Sequence, residues 1–327
     1  MSFDLISKYE SPFQPDKPVC PYFFKGRYSS IQKIIRYYNN ACRKDVQHFF
    51  LTGKKGTGKT SLAKFVKQYL EDKGNALGIY VSTKAQNSLE NIVTSIFEAF
   101  LDNVDNDFFE KRFEELFGPI ESVEFCGDKI HFKHDIKTSR GLVASFHYIL
   151  NELLNNEFKD YDCIFLVIDD INALSQEEKF VNWYKRFADT IEVDNSFNLP
   201  LYILFTAYPE KFDNLVLQDL SFGRIFHYEE IGRLENSDVC DFFTDTFGSV
   251  GMKCESDVMD LMVLFSQRSP LMMQHIGDAV FKQSDGENIT CETATRGILN
   301  AADELKKTDT GLLNWFSILS YGNLPII

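Results

Sequence analysis

Residues 53–60 read Gly-Lys-Lys-Gly-Thr-Gly-Lys-Thr and match the pattern G-x-x-x-x-G-K-[ST] at each of its fixed positions. Loops of this pattern hold phosphate groups. The glycines are predicted to let the backbone turn so that successive amides point inward, and the following helix adds its positive end. We expect the amine of Lys59 to contact the β- and γ-phosphates of a nucleotide and the hydroxyl of Thr60 to bind Mg²⁺. The residues predicted to contact the nucleotide are Gly53, Lys54, Lys55, Gly56, Thr57, Gly58, Lys59, Thr60 and Ser61.

The residues on either side of this loop have the pattern that a phosphate-binding loop requires. Residues 46–51 are rich in β-branched and aromatic side chains, as expected of a buried strand. Beyond the loop, apolar residues recur at helical spacing up to Gly74, which is expected to end the helix. The order of strand, glycine loop and helix predicts a binding site for a nucleoside triphosphate rather than a chance glycine-rich turn.

Strands and helices alternate through the first two thirds of the chain, and after Ile231 the pattern is helical only. Alternation of this kind favours a parallel sheet that is covered by helices on both faces. We therefore predict an α/β fold, a three-layer P-loop NTPase with a parallel five-stranded sheet, followed by an all-α lid domain. The predicted strands of the sheet are 46–51, 76–82, 163–168, 201–206 and, more weakly, 225–228. A separate short hairpin is predicted at 122–133.

Three parts are predicted along the chain. An N-terminal segment at 1–24 contains four prolines and is expected to be extended and to lie along the domain surface. A P-loop ATPase core is expected at 25–232. The helical lid domain is expected at 233–327.

Composition limits the class of protein. The 327 residues include 31 Phe and are 44% hydrophobic, which is ample for a core, and there is no apolar run of 18 residues. The start of the chain has no secretory pattern, and the seven cysteines include no C-x-x-C pair. We therefore expect no membrane partner and a reducing, cytoplasmic location.

Charge is unevenly distributed along the chain. The net charge is −14, but Lys25 to Tyr69 carries eleven basic residues against one acid. That segment is +10, so the remainder is −24. A basic segment around a phosphate loop fits a polyanionic nucleotide. It could also contact DNA, but the acidic remainder would repel DNA, so net charge does not favour a DNA partner.

The sequence Ile168-Asp169-Asp170 ends the most hydrophobic predicted strand. Two carboxylates at the end of a buried strand are costly unless something compensates them, and Mg²⁺ beside a triphosphate would do so. This Walker B interpretation gives Asp169 to the metal and Asp170 to the attacking water. We expect Lys59 and Asp169 to converge from adjacent strands. The alternative is a pair of Asp residues that cap a helix.

A family resemblance follows from these residues together. The sequence Phe24-Lys25-Gly26-Arg27 before a helix, the phosphate loop, Asp169-Asp170, Thr206 and a helical lid resemble the AAA+ and STAND ATPases. The closer resemblance is to the archaeal and bacterial ATPase-domain families related to replication initiators of the origin-recognition type. It covers roughly residues 12–305.

The resemblance implies roles at the matching positions. Phe24, Gly26 and Arg27 would border the adenine, or else they pack the first helix. Thr206 matches the sensor-1 position, where a polar side chain reads the γ-phosphate. The resemblance also implies that Asp170 positions the attacking water. The residues that the motifs and the resemblance assign to catalysis are Lys59, Asp170, Thr206 and Arg224.

Two further positions match the family in the second half of the chain. Arg224 lies where AAA+ proteins carry an arginine finger that acts on a neighbouring subunit, and its alternative is a salt bridge on the surface or at the domain interface. Pro270, in Ser269-Pro270-Leu271, resembles the lid motif G-x-P near the nucleotide, and its alternative is ordinary helix capping. The family's sensor-2 arginine is absent, since Leu271 and two Met residues follow Pro270.

The resulting hypothesis is an ATP-binding, AAA+/STAND-like ATPase that acts as a nucleotide-dependent switch and hydrolyses ATP to ADP and phosphate slowly, with Mg²⁺. One alternative is a nucleotide-gated interaction module that does not hydrolyse ATP. Another is a DNA-associated, initiator-like protein that lacks a winged helix. A homo-oligomer or a protein partner is expected in each case.

Overall fold

The computed structural model of the chain describes residues 10–84, 86, 88–103, 123–126, 129–132, 141–194, 199–284 and 286–308. Its main sheet has five parallel strands in the order β2-β5-β6-β1-β7. Two smaller two-stranded sheets are formed by β3 with β4 and by β8 with β9. The strands are β1 (Gln47–Thr52), β2 (Ala76–Ser82), β3 (Val123–Cys126), β4 (Lys129–Phe132), β5 (Cys163–Asp169), β6 (Leu201–Ala207), β7 (His227–Glu230), β8 (Lys253–Cys254) and β9 (Asn288–Ile289).

Helices connect the strands of the main sheet and then follow one another after β7. Short 3₁₀ helices cover Pro21–Phe23, Ile171–Gln176 and Phe222–Ile225. The α-helices are α1 (Tyr28–Ala41), α2 (Lys59–Gly74), α3 (Leu89–Leu101), α4 (Phe146–Asn156), α5 (Glu178–Val193), α6 (Pro209–Gln218), α7 (Asn236–Gly248), α8 (Ser256–Ser266), α9 (Pro270–Gln283) and α10 (Cys291–Thr308). None of the helices in this described part is long and apolar enough to cross a bilayer.

The central strands of the sheet are buried along their whole length. Every residue of β5 and β6 is buried, which explains why both read as continuous apolar runs. The predicted five-stranded parallel sheet is therefore confirmed. The predicted hairpin is also present, with β3 and β4 antiparallel, while its turn at residues 127–128 lies outside the described residues.

The predicted strand neighbours at the site are wrong in one respect. Strand β6 lies between β1, which precedes the phosphate loop, and β5, which ends in Asp169. The order of strands in a sheet depends on long-range pairing, so it does not follow from the order in the sequence. Because all of these strands are parallel, their carboxyl ends still share one edge of the sheet.

The chain divides into two compact units. The sheet unit contains Tyr28–Lys55 and Leu62–Ile231, and the helical unit contains Gly56–Ser61 with the described parts of Met1–Arg27 and Gly232–Ile327. The predicted domain boundaries at 24/25 and 232/233 stay a prediction.

The N-terminal segment belongs to the core of the helical unit. Phe13 is only 3% exposed and packs against Phe247, with 4.8 Å between ring centroids. A Cβ on Gly277 would lie 2.2 Å from a ring carbon of Phe13, so that position of α9 has no room for a side chain. The expectation of a surface-lying, extended segment is thus wrong at Phe13, and also at the 3₁₀ helix Pro21–Phe23.

The helical unit also contains a structure that periodicity did not predict. Strands β8 and β9, of two residues each, pair in parallel through Lys253 with Asn288 and Cys254 with Ile289. The expectation of helices only after Ile231 is wrong here, because strands this short leave no period-2 pattern to detect.

A half-buried histidine in β1 makes stability depend on pH. His48 Nδ1 lies 2.7 Å from the Tyr184 hydroxyl, and aromatic rings surround the imidazole. Burial, followed by the nearby His227, lowers the pKa of His48 to about 4, against about 6.5 in an unfolded chain. The unfolded chain therefore binds the proton more readily between these two values. The stabilisation is complete above pH 6.5 and is lost as pH falls toward 4.

We expect this histidine alone to lower the free energy of unfolding by about 2–3 kcal/mol between pH 7 and pH 4.5. Urea unfolding at the two pH values measures it. A His48→Gln variant should depend less on pH by that amount, since other groups titrate equally in both proteins. Equal pH dependence in the two proteins would contradict the assignment.

Candidate functional site

The phosphate loop joins the end of β1 to the start of α2. Gly56 and Gly58 have φ values of +80° and +90°, a conformation that L-residues avoid. Gly53 is buried, and its part in turning the loop stays a prediction. Helix α2 begins at Lys59, which places Lys59, Thr60 and Ser61 in its first turn. The amides of a first helical turn have no partner inside the helix and can bind an anion.

The other predicted loop residues occupy different environments. Lys54 and Lys55 are exposed, whereas Thr57, Lys59 and Thr60 are half-buried. The hydroxyl of Ser61 accepts a hydrogen bond of 3.3 Å from the amide of Val19, so it also holds the N-terminal segment.

Within the helical unit, the start of α9 packs directly on the phosphate loop. The amide of Leu271 donates to the carbonyl oxygen of Gly56 over 3.2 Å. A Cβ on Gly56 would lie 2.8 Å from the Leu271 Cβ, and one on Gly58 would lie 3.5 Å from the Pro270 Cγ. Ser269 makes no side-chain cap. Pro270 lies beside Gly58 of the phosphate loop and also occupies the first turn of α9 after its N-cap residue Ser269, so a role of Pro270 at the nucleotide stays a prediction.

Arg27 fastens the backbone of the phosphate loop. Its guanidinium donates to the carbonyl oxygens of Thr57 at 3.1 Å and Arg233 at 3.3 Å, and also to that of Gly232. Burial lowers the pKa of Arg27, and the neighbouring Asp238 partly offsets this effect. Arg27 thus links the phosphate loop to the segment that leads into α7.

The backbone around Arg27 has an unusual conformation and is closely packed. Gly26 has φ +74° and lies against Asp238, where a Cβ would approach the carboxylate to 2.3 Å. Arg27 itself has φ +63°. Phe24 is half-buried, and its amide donates to the carbonyl oxygen of Pro21. A border to the adenine formed by Phe24, Gly26 and Arg27 stays a prediction.

Replacing Arg27 with lysine should lower the free energy of unfolding by about 2–3 kcal/mol, because an ammonium group cannot serve three carbonyls in the fork geometry of a guanidinium. Arg36→Ala, at an exposed position of α1, is the matched control and should change stability by less than about 0.5 kcal/mol. Urea unfolding followed by circular dichroism measures both. Equal stability of Arg27→Lys and the wild type would remove the fastening role.

In the sheet unit, the buried carboxylate of Asp169 is held from two neighbouring strands. It is 0% exposed at the end of β5. Its Oδ2 accepts a hydrogen bond from the Tyr80 hydroxyl at 2.7 Å, and its Oδ1 accepts one from the Thr206 hydroxyl at 2.5 Å. Its carbonyl oxygen accepts from the amide and the hydroxyl of Thr83. These contacts fix the orientation of the carboxylate.

Thr206 links the two aspartates. Its hydroxyl donates to Asp169 and accepts from the amide of Asp170 at 2.9 Å. A hydroxyl has a single proton. In this geometry the Thr206 hydroxyl directs that proton to Asp169 Oδ1, so it does not donate to a phosphate. Its sensor-1 role stays a prediction that would require the hydroxyl to rotate.

Asp170 has an unusual backbone conformation. Its φ of +68° is left-handed, which costs energy for a residue other than glycine and is frequent at functional sites. Its carboxylate accepts a hydrogen bond from the side chain of Asn172, whose own oxygen accepts from the amide of Tyr208. Asp170 precedes the 3₁₀ helix Ile171–Gln176 but makes no side-chain cap. The helix-capping alternative is therefore not what the structure contains at Asp170.

Arg224 is exposed in the 3₁₀ helix Phe222–Ile225. In the part of the chain that the structure describes, its side chain forms no ion pair. The exposed leucines Leu217 and Leu220, 77% and 74% accessible, lie just before it in the sequence. The salt-bridge alternative therefore has no support among the described residues, and the arginine finger stays a prediction.

Sequence reasoning missed four residues that this site uses. They are Tyr80, Thr83, Asn172 and Leu271. Polar residues near the ends of β2 and β5 could have indicated the first three, because the carboxyl ends of parallel strands meet at one edge. Nothing local in the sequence indicated that the amide of Leu271 would contact Gly56.

The donors present suit Mg²⁺ bound with a nucleotide. Among the described residues there is no group of three or more His, Cys, Asp or Glu that could hold a metal by itself. Mg²⁺ at nucleotide sites typically uses one or two carboxylates, water and phosphate oxygens. In the sheet unit the buried carboxylate of Asp169 is an oxygen donor of that kind, and in the helical unit so is the hydroxyl of Thr60.

Comparison with known proteins identifies the family. The family model described as "AAA domain" matches residues 42–211, which include the phosphate loop, Asp169, Asp170 and Thr206. The chain belongs to this family, and its fold is that of the P-loop ATPases. No curated protein matches the sequence.

Three solved structures with the same fold illustrate the similarity. The ORC1 protein of Aeropyrum pernix, solved in complex with DNA, is 14% identical to this chain with a TM-score of 0.57. The alignment covers 91% of this chain and 72% of the ORC1 chain. The ORC2 protein of Aeropyrum pernix with ADPNP and ADP is 10% identical with a TM-score of 0.60, covering 89% and 73%. A Walker-type ATPase of Pyrococcus abyssi is 16% identical with a TM-score of 0.55, covering 91% and 77%. These similarities support the predicted relation to the origin-recognition proteins at the level of the fold.

Proposed function

We propose that this protein is an ATP-binding switch that hydrolyses ATP slowly with Mg²⁺. The observation that carries the proposal is the phosphate loop itself. Gly56 and Gly58, both left-handed, precede a helix that begins at Lys59, so Lys59, Thr60 and the first-turn amides lie at the positive end of that helix.

Each residue of the proposed site has a chemical task. Lys59 and the loop amides would stabilise negative charge on the β- and γ-phosphates. Thr60 and Asp169 would hold Mg²⁺, which neutralises charge on the phosphates when bound. Asp170 would accept a hydrogen bond from the attacking water and orient it toward the γ-phosphate.

Slow turnover has support in three features. Asp170 has a shorter side chain than the glutamate common at this position in similar proteins, so it reaches less far toward a water. The Thr206 hydroxyl donates its hydrogen bond to Asp169 and so does not donate to the γ-phosphate. The first turn of α9 presents Leu271 to the loop where related proteins place a cation.

The switch part of the proposal concerns the helical unit. Gly56 accepts from Leu271, and Thr57 accepts from Arg27, so two carbonyls of the phosphate loop are bonded to elements of this unit. A change in the loop between ATP and ADP would alter these contacts directly. These two hydrogen bonds support a STAND-type cycle, in which the nucleotide state would set the arrangement of the lid.

A second candidate is an interaction module that binds nucleotide and does not turn it over. Two observations favour it: the Thr206 hydroxyl donates to Asp169 and not to a phosphate, and the Leu271 side chain lies against Gly56 of the phosphate loop.

In either case we propose that a second copy of the chain is the partner and that Arg224 of one copy contacts the nucleotide of the other. DNA remains a subsidiary proposal, because ORC1 was solved with DNA but this chain has a net charge of −14. A reducing, cytoplasmic location would suit the free thiols of Cys20, Cys42, Cys163, Cys240, Cys254 and Cys291.

One preparation separates these candidates. Denaturing the purified protein and identifying the released nucleotide reports what it binds, and phosphate release with MgATP reports turnover. Phosphate release above that of a Lys59→Ala variant supports the slow ATPase. Stoichiometric ADP without turnover supports the non-hydrolysing module. No released nucleotide and no heat on adding MgATP would overturn both.

A further inference from the structure

Tyr80 contacts the carboxylate that the proposed site assigns to the metal. It lies on β2, where Ser82 is in register with Asp169, so Tyr80 shares a sheet face with the residue opposite Asp169. From there its hydroxyl reaches Asp169 Oδ2 at 2.7 Å. The phenol is the donor in this hydrogen bond, because an ionised carboxylate can only accept.

Lys64 places a positive charge over this tyrosine. Its Nζ lies 4.7 Å from the centroid of the Tyr80 ring, within the range of a cation–π contact. Lys64 lies four residues after Thr60 on α2, so the two side chains share a helix face. A cation over the ring draws electron density from it and strengthens donation by the hydroxyl. The helix that follows the phosphate loop is thereby connected to Asp169 through Tyr80.

Together the two hydroxyls restrain both oxygens of Asp169. Tyr80 occupies one lone pair of Oδ2 and Thr206 occupies one of Oδ1. A carboxylate held from two neighbouring strands in this way has a fixed orientation and needs no reorientation when it binds a cation.

We propose that Tyr80, supported by Lys64, is a positioning residue that orients Asp169 for Mg²⁺ at the nucleotide site. The proposal rests on the proposed function, because it assumes that Asp169 binds the metal of a bound nucleotide. Residues that orient metal ligands typically change metal affinity 10- to 100-fold when they are replaced. Tyr80→Phe removes only the hydroxyl and should weaken the metal by that factor.

The test measures metal binding directly. Mn²⁺ replaces Mg²⁺ as the probe, a non-hydrolysed ATP analogue fills the site, and electron paramagnetic resonance counts the free ion. The control is Tyr202→Phe, on β6 of the same sheet, whose buried hydroxyl has no hydrogen-bond partner among the described residues. We expect Tyr80→Phe to raise the Kd for Mn²⁺ 10- to 100-fold and Tyr202→Phe to leave it unchanged. Binding of ADP without metal should be equal in all three proteins.

The outcomes distinguish this inference from the proposed function. An unchanged Mn²⁺ Kd in Tyr80→Phe, with normal ADP binding, overturns the role of Tyr80 and leaves the proposed function intact. Absence of nucleotide binding by the wild type overturns both. If Tyr80→Phe loses metal and ADP binding together, the residue supports the whole fold and the positioning role is rejected. Should that variant fail to fold, Lys64→Met takes its place, with an expected two- to fivefold rise in Kd and an unchanged Kd as the contrary result.

Discussion

Replacing Lys59 with alanine should weaken MgATP binding at least 100-fold. Lys59 is half-buried at the first residue of α2, and in the proposed site its ammonium group contacts two phosphates. Removing one partner of such a charge pair typically costs about 2–5 kcal/mol, and each 1.4 kcal/mol corresponds to a tenfold change in Kd. Isothermal titration calorimetry with MgATP measures the change.

Lys73→Ala provides the matched control for this prediction. Lys73 is exposed in the last turn of the same helix, so its removal changes the net charge equally but lies far along α2 from the loop. Its Kd should stay within a factor of two of the wild-type value. Equal losses in the two variants would mean that overall charge, rather than a contact at the phosphate loop, sets the affinity. Equal affinity of Lys59→Ala and the wild type would reject the site.

The sequence predicted the parts of the fold that depend on local patterns. The loop 53–60 is recognisable because few residue types tolerate its turns, and two of its three glycines do have a positive φ. Strands β5 and β6 are recognisable because a strand buried on both faces must be apolar throughout. These features are written into neighbouring residues and need no knowledge of distant contacts.

What the sequence did not predict depends on contacts between distant residues. The hydrogen bond from Tyr80 to Asp169 joins residues that are 89 positions apart in the sequence. The hydrogen bond from Leu271 to Gly56 joins residues that are even further apart in the sequence. Phe13 packs against α7 although prolines near it in the sequence indicated an extended surface segment. An aromatic residue between prolines has the same local pattern whether or not a core is available to receive it.

The same distinction applies to the roles of site residues. Thr206 occupies the expected position at the end of β6, but its hydroxyl bonds to Asp169 and to the amide of Asp170. Arg27 occupies the expected motif, but its guanidinium binds three backbone carbonyls. A motif locates a residue, whereas the partners available in space decide what its polar atoms do. This difference is why the site is better described as a fixed network around Asp169 than as a set of independent motif residues.

Asp170→Gly should abolish ATP hydrolysis and leave the stability of the protein almost unchanged. The carboxylate that would orient the attacking water is lost, and loss of such a group typically lowers the rate 10²- to 10⁴-fold. For stability, glycine relieves the left-handed φ of +68°, which offsets its greater freedom in the unfolded chain and the lost hydrogen bond from Asn172. We expect the free energy of unfolding to stay within about 1 kcal/mol of the wild-type value.

Asp170→Asn completes this experiment, because it keeps the size of the side chain and the positive φ while removing the charge. Its phosphate release should be as low as that of Asp170→Gly, although its backbone stays in the left-handed conformation. MgATP affinity should be that of the wild type in both variants, since Asp170 is assigned to the water and not to the phosphates. Wild-type phosphate release in Asp170→Asn would mean that another group orients the water. Weak ATP binding in both variants would place Asp170 with the metal instead.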